Sequence, residues 1–134
     1  MRTAVPPETV AKLRAICLAL PETREEAAWI GTRWRVRAHT FAHVLVIDTG
    51  KPTAYAQAAG SDGPVCVLTF RSTIAALDPL NYAEAPFFRP RWFADIVGMS
   101  LDAATDWDEV AGLVKASYRA LAPRKLADRL DRPT

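Results

Sequence analysis

Four basic side chains recur at every second position of one segment, Arg33, Arg35, Arg37 and His39, with no acidic residue among them. Alternate residues of a β-strand project from the same face, so these groups would lie about 6 to 7 Å apart along a strand. That repeat is comparable with the phosphate spacing along one strand of DNA. The pattern predicts contacts with the DNA backbone, which are independent of base sequence and weaken as salt is raised. The alternative is a solvated sheet face that is kept soluble by its charge.

Two further arginines, Arg89 and Arg91, flank Pro90 directly before Trp92. They would extend the basic patch if their loop folds beside the predicted strand. The competing interpretation is an ordinary exposed loop. We therefore include Arg89 and Arg91 among the candidate contacts to double-stranded DNA.

Aromatic side chains form the second set of candidates, because aromatic faces can stack on bases or line a ligand pocket. The set comprises Trp29, Trp34, Phe41, Trp92 and Tyr118. Core packing competes with both roles, since these residues fall at inward positions of alternating or helical patterns. Trp29 and Trp92 are expected to be partly exposed at the edge of a groove. Trp29, Trp92 and Tyr118 are the candidates for a pocket that binds a small molecule or a protein.

The residue patterns favour neither catalysis nor a metal. His39 and His43 are four apart, but on a strand and turn they would not converge as two ligands on one helix face would. Glu25 and Glu26 are adjacent and would point to opposite faces of a strand. No nucleophile elbow, zinc-protease motif, P-loop or dinucleotide-binding glycine motif is present. We predict a non-catalytic protein with no catalytic residue, no metal and no cofactor.

Composition fits a globular protein of 134 residues in which half the residues are apolar and a quarter are charged. The length predicts one domain over residues 1–134, with a loose tail over 124–134. The formal charge of +2 is small for a nucleic-acid binder.

Neither a signal peptide nor a membrane span is predicted, so we expect a cytoplasmic protein. Cys17 and Cys66 form no metal or disulfide motif and are expected to be buried thiols.

Hydrophobic periodicity predicts helices at both ends of the chain. Pro6-Pro7-Glu8 begins the first helix and Pro21 ends it. Asp106 begins the last helix, which Pro123 stops or kinks. Ser72 is expected to cap a short helix between them.

The middle of the chain predicts strands. These are a short strand over 28–31, a half-buried strand over 33–39, strands over 41–47 and 65–70, and a strand over 92–97. Residues 54–63 and the proline-marked segment 78–90 are expected to be loops. The order of elements predicts an α+β fold, an antiparallel sheet with the N- and C-terminal helices packed on one face.

Several landmarks occur in the order found in the MmcQ/YjbR family. They are Leu20-Pro21-Glu22-Thr23, Trp29-Ile30-Gly31, Phe41-Ala42, Pro86 with Arg89-Pro90-Arg91-Trp92-Phe93, and Ser117-Tyr118-Arg119. The chain resembles this family over nearly its whole length. The resemblance implies a fold similar to CyaY-like, frataxin-type proteins and DNA binding through a "double-wing" arrangement. DNA binding of this kind is the leading hypothesis, and an aromatic-lined cleft for a small molecule or protein is the alternative.

Overall fold

A computed structural model describes residues 4–78 and 80–130 of the chain. Five helices and six strands follow in the order α1 Pro7–Leu18, β1 Thr23–Ala27, β2 Thr32–Val36, β3 His39–Ile47, α2 Thr53–Ala59, β4 Val65–Arg71, α3 Thr73–Leu77, β5 Phe87–Phe88, β6 Ile96–Leu101, α4 Trp107–Leu121 and α5 Arg124–Arg129. The strands form one antiparallel sheet in the order β1-β2-β3-β4-β6-β5. The predicted α+β fold is confirmed.

The helices α1 and α4 cover one face of the sheet, which we call the helix face. Leu13 of α1 and Val114 of α4 are fully buried there against Val44 and Leu68 of the central strands. Asp106 caps α4 by accepting hydrogen bonds from the backbone N–H groups of residues 108 and 109. The prediction that the terminal helices share one face is therefore correct for α1 and α4.

The opposite face of the sheet, the outer face, carries a second and smaller core. Leu45, Ile47 and Val67 alternate with the helix-face residues and pack against Ala56 of α2. The sequence predicted a loop over 54–63, but residues 53–59 form α2 and Gly60 ends it in the left-handed conformation, with φ of 67°. Alanine has the highest helix propensity of all residues, so the small side chains there form a helix that packs closely on the sheet.

The first strand lies earlier than predicted. Residues 23–27 form β1, and residues 28–31 form the turn to β2, in which the Ala28 N–H donates to the Gly31 carbonyl oxygen. The predicted strand over 33–39 ends at Val36, because Arg37 has a φ of 54° in the turn to β3. The predicted strand over 92–97 is also displaced: residues 96–101 form β6.

Residues 124–130, the described part of the expected tail, are more ordered than a loose tail. Residues 124–129 form α5, and Leu126 is buried in the main core. Residues 131–134 of the expected tail lie outside the described residues.

Among the residues that are described, no helix is long and apolar enough to cross a membrane.

Candidate functional site

The polar side chains of the outer face lie in a row across the sheet. Backbone pairing places Glu26 of β1 opposite Arg33 of β2, Arg33 opposite His43 of β3, and His43 opposite Thr69 of β4. Directly opposed residues of neighbouring strands project from the same face, so these side chains are close neighbours. The row brings a carboxylate, a guanidinium, an imidazole and a hydroxyl together.

Two arginines of the predicted basic patch, Arg33 and Arg35, contact a side chain of β1, a strand that the sequence did not predict. Three arginines converge on Glu26: Arg24 Nε donates to Glu26 Oε2 at 3.1 Å, while Arg33 Nε and Arg35 Nη1 donate to Oε1 at 3.0 and 3.3 Å. The hydrogen bond from Arg24, followed by those from Arg35 and Arg33, lowers the pKa of Glu26. We call these four residues the Glu26 cluster. It holds three positive charges and one negative charge.

The other two members of the predicted strand face lie elsewhere. Arg37 is in the β2–β3 turn, where its Nη1 lies 3.4 Å from Glu22 Oε1. His39 is exposed at the start of β3 and is opposite Val36. The prediction that four basic groups follow one strand face is wrong, because β2 ends before Arg37. Glu25 and Glu26 point to opposite faces of their strand, as predicted. Glu25 lies on the helix face, where it accepts hydrogen bonds from Arg14 and Trp34.

Arg89 and Arg91 differ in their surroundings. The guanidinium of Arg89 donates to four backbone carbonyl groups, those of residues 75, 78, 81 and 94. These contacts join α3 and the turn after it to the segment before β6. Arg91 is exposed. The two arginines therefore do not form one basic surface, and Arg89 is a structural residue.

A groove with a volume of about 210 Å³ lies on the outer face. Its lining side chains include Trp29, Arg33, Thr40, His43, Tyr55, Thr69, Arg71 and Trp92. They come from the β1–β2 turn, β2, β3, α2, β4 and the segment between β5 and β6. We call this the outer-face groove, and it joins two of the three predicted pocket residues.

Aromatic rings form the walls of the outer-face groove. The rings of Tyr55 and Trp92 meet edge to face with centroids 5.0 Å apart, and His43 and Tyr55 meet edge to face at 6.3 Å. Trp29 is 72% exposed and Trp92 is 38% exposed, as expected for residues at a groove edge. Tryptophan combines a large apolar ring with a polar N–H, so an exposed indole provides area for contact with a partner. The groove therefore offers solvent-accessible aromatic surface.

His43 forms the floor of the groove. Its Nε2 lies 2.7 Å from the carbonyl oxygen of Ile30. A carbonyl oxygen can only accept, so Nε2 carries the hydrogen and Nδ1 of the neutral ring is an acceptor. Burial lowers the pKa of His43, and the positive charge of Arg33 lowers it further. At neutral pH the floor therefore presents an uncharged hydrogen-bond acceptor.

Arg71 provides a second guanidinium at the groove. Its Nη1 donates to Asp95 Oδ1 at 2.6 Å, and its guanidinium lies over the ring of Phe93 at 4.7 Å. The backbone N–H of Arg71 donates to Ser117 Oγ of α4, and Ser117 Oγ donates to the carbonyl oxygen of Phe41. The end of β4 is thus fixed to the helix layer, which positions Arg71.

Tyr118, the third predicted pocket residue, is not part of the groove. Its ring is fully buried on the helix face, meets Phe41 edge to face at 5.5 Å, and its hydroxyl donates to the carbonyl oxygen of Pro21. Core packing is therefore the correct interpretation for Tyr118, Trp34 and Phe41.

Within residues 4–78 and 80–130, no three His, Cys, Asp or Glu side chains group closely enough to hold a metal ion.

Cys17 is buried, as expected, and Cys66 is partly buried. Burial raises the pKa of Cys66 to about 11 and raises that of Cys17 still further. Thiolate is the reactive form of cysteine, so neither side chain has the properties of a nucleophile.

A larger recess of about 850 Å³ lies beside the N-terminal segment. Ala4 and Val5 form one wall, and Trp29 borders this recess as well as the groove. Among the described residues that line this recess, Trp29 is the one aromatic side chain, whereas Trp29, Tyr55 and Trp92 line the outer-face groove.

Five of the groove side chains named above were not predicted as site residues: Thr40, His43, Tyr55, Thr69 and Arg71. Tyr55 lies in the segment for which the sequence predicts a loop, and Arg71 lies one residue beyond the predicted strand over 65–70. The sequence predicts only that His43 and His39 do not form a metal site. The alternation of β3 does carry one usable signal, since it places His43 on the same face as Leu45 and Ile47.

Comparison with known proteins bears on the family and the fold. The YjbR family model matches residues 18–120, from the end of α1 almost to the end of α4. No protein with a curated description matches the chain.

The chain is similar to a crystal structure of Deinococcus radiodurans protein DR2400, which has a DUF419 domain. The two chains are 14% identical, with a TM-score of 0.60 over 92% of this chain and 88% of the other. At this identity the likeness shows the fold alone. The match to the family model covers well over half of the sequence, and the chain therefore belongs to the YjbR family.

Proposed function

We propose that this protein is a non-catalytic binding protein whose outer-face groove takes a small planar ligand. One observation carries the proposal: Trp29, Tyr55 and Trp92 come from three separate elements and surround the uncharged acceptor of His43. A concave site with aromatic walls and a few convergent polar groups has the usual composition of a ligand pocket. The volume of about 210 Å³ is below the typical range and favours one ring system.

Fragment titration followed by NMR tests this function. Indole and benzimidazole, each of which has a ring N–H for the acceptor of His43, are expected at millimolar concentration to shift the indole N–H signals of Trp29 and Trp92. The signals of Trp34, which is buried on the helix face, and of Trp107 at the start of α4 should stay in place. Replacing Trp92 by alanine should weaken fragment binding about ten-fold, because stacking on an aromatic ring contributes about 1 to 3 kcal/mol.

The matched control is Trp107→Ala, which removes a partly exposed tryptophan that contacts Lys12 on the opposite side of the molecule. Its fragment affinity should stay within about two-fold of the parent protein. Absence of shifts at Trp29 and Trp92, or equal losses in the two variants, would contradict ligand binding in the groove.

Duplex DNA is the second candidate partner, supported by the excess charge of the Glu26 cluster. Three guanidiniums share one carboxylate, so two positive charges are not neutralised within the cluster. Arg33 and Arg24 remain partly exposed, with 38% and 48% of their side-chain surface accessible. Phosphates would have to compete with Glu26 for these guanidiniums, so this hypothesis implies weak and salt-sensitive binding.

Replacing Glu26 by glutamine tests whether DNA phosphates bind the Glu26 cluster or are attracted only by the net charge of the protein. If phosphates bind the Glu26 cluster, the variant should bind a fluorescent duplex about three- to ten-fold more tightly at low salt, because three arginines lose their internal anion. The gain should shrink as salt is raised. Glu8→Gln, in the first turn of α1, changes net charge equally and is the control. Equal affinities for the two variants in fluorescence anisotropy would exclude the cluster as the contact.

A further inference from the structure

We propose that the planar ligand of the outer-face groove is a nucleotide unit, with its base between the aromatic walls and its phosphate at Arg33 and Arg71. This inference rests on the proposed function, because it names the class of ligand that the same groove takes. The source can be a free mononucleotide or a base turned out of a single strand, since both present the same ring and phosphate.

The aromatic walls provide the surface for the base. Trp92 remains 38% exposed although its ring already meets Tyr55 edge to face, so part of the indole is open to the groove. Trp29 is more exposed still and lines the groove from the β1–β2 turn. Every nucleobase has a π-face and can stack on such rings.

Two guanidiniums provide the site for the phosphate. Arg33 and Arg71 both line the groove, from β2 and β4 on either side of the His43 strand. Each has one carboxylate partner: Arg33 uses Nε and Nη2 for Glu26, and Arg71 uses Nη1 for Asp95. A guanidinium has five N–H donors, so both retain donors for an anion. Arginine suits phosphate recognition because its donors are planar and permanently charged.

The floor of the groove adds a requirement for a hydrogen-bond donor on the ring. Nδ1 of His43 accepts, because the contact with the Ile30 carbonyl oxygen fixes the hydrogen on Nε2. Ring N–H and amino groups of nucleobases meet this requirement, whereas a plain hydrocarbon ring does not. Thr69, opposite His43 on β4, adds a hydroxyl at the same level of the groove.

Isothermal titration with three related probes tests the inference on the intact protein. Adenosine monophosphate is expected to bind at least about ten-fold more tightly than adenosine or ribose 5-phosphate, because only it combines ring and phosphate. Arg71→Gln should reduce the affinity for the nucleotide to that for adenosine. Arg14→Gln, which removes an arginine paired with Glu25 on the helix face, should leave it unchanged. Arg33→Gln is the second groove variant if Arg71→Gln fails to fold.

The outcomes separate the two proposals. Tight nucleotide binding that depends on Arg71 or Arg33 supports the inference, and a parallel titration with single-stranded oligothymidine then identifies the source. Adenosine binding as tight as that of the nucleotide, or affinity that survives both arginine changes, would overturn the nucleotide assignment and leave ligand binding in place. Failure of every probe, together with absent fragment shifts at Trp92, would remove the groove function itself.

Discussion

Replacing Gly31 by alanine is expected to destabilise the protein by at least about 3 kcal/mol. Gly31 has a φ of 71°, a region that costs a residue with a Cβ about 1 to 2 kcal/mol. An added Cβ would also lie 1.9 Å from the carbonyl oxygen of Val44, so the β1–β2 turn would have to move away from β3. The Ile30 carbonyl oxygen, which orients His43, belongs to this turn.

Gly60→Ala is the matched control, because Gly60 has a similar φ of 67° but no atom within 4 Å of an added Cβ. Its cost should be only about 1 to 2 kcal/mol, the conformational part alone. Urea unfolding followed by circular dichroism measures both values. Equal costs for the two glycines would show that the close approach of the turn to β3 contributes nothing to stability.

Elements with strong periodicity could be predicted from the sequence, and charged elements could not. The apolar spacing of α1 and α4 and the β-branched run of β3 are local signals, and the structure confirms those elements. The sequence of β1 is Thr-Arg-Glu-Glu-Ala, which has no strand signal of its own. Its backbone pairs with β2 over all five residues, and the side chains of Glu26 and Glu25 find partners on β2 and α1. Long-range ion pairs of this kind leave no local pattern.

The candidate site also has features that the sequence predicts and features that it does not. Alternation correctly placed Arg33 and Arg35 on the face opposite Trp34. It could not show that they share Glu26, because that contact depends on where β1 lies. The outer-face groove draws Trp29, Tyr55 and Trp92 from separate segments, so its existence depends on the sheet order and on α2. Tertiary structure, and not spacing along the chain, brings these rings together.

Arg89 and Arg91 provide a direct test of structural against surface roles, since both were predicted as DNA contacts and only Pro90 separates them. Arg89→Ala is expected to destabilise the protein by about 3 kcal/mol, because it removes charge-assisted hydrogen bonds to four carbonyl groups. Arg91→Ala should change the free energy of unfolding by less than about 0.5 kcal/mol, since Arg91 is exposed.

Urea unfolding of both variants, with duplex anisotropy at two salt concentrations, completes the comparison. Any effect of Arg91→Ala should appear in DNA affinity and its salt dependence, because a lost phosphate contact reduces both. The effect of Arg89→Ala should appear first in stability, because both its Nη1 and Nη2 groups donate to carbonyl groups, which include those of Ala75 in α3 and Ala94 before β6. An Arg89→Ala protein as stable as the parent would mean that these contacts do not hold the segment, and the guanidinium would again be a candidate for phosphate binding.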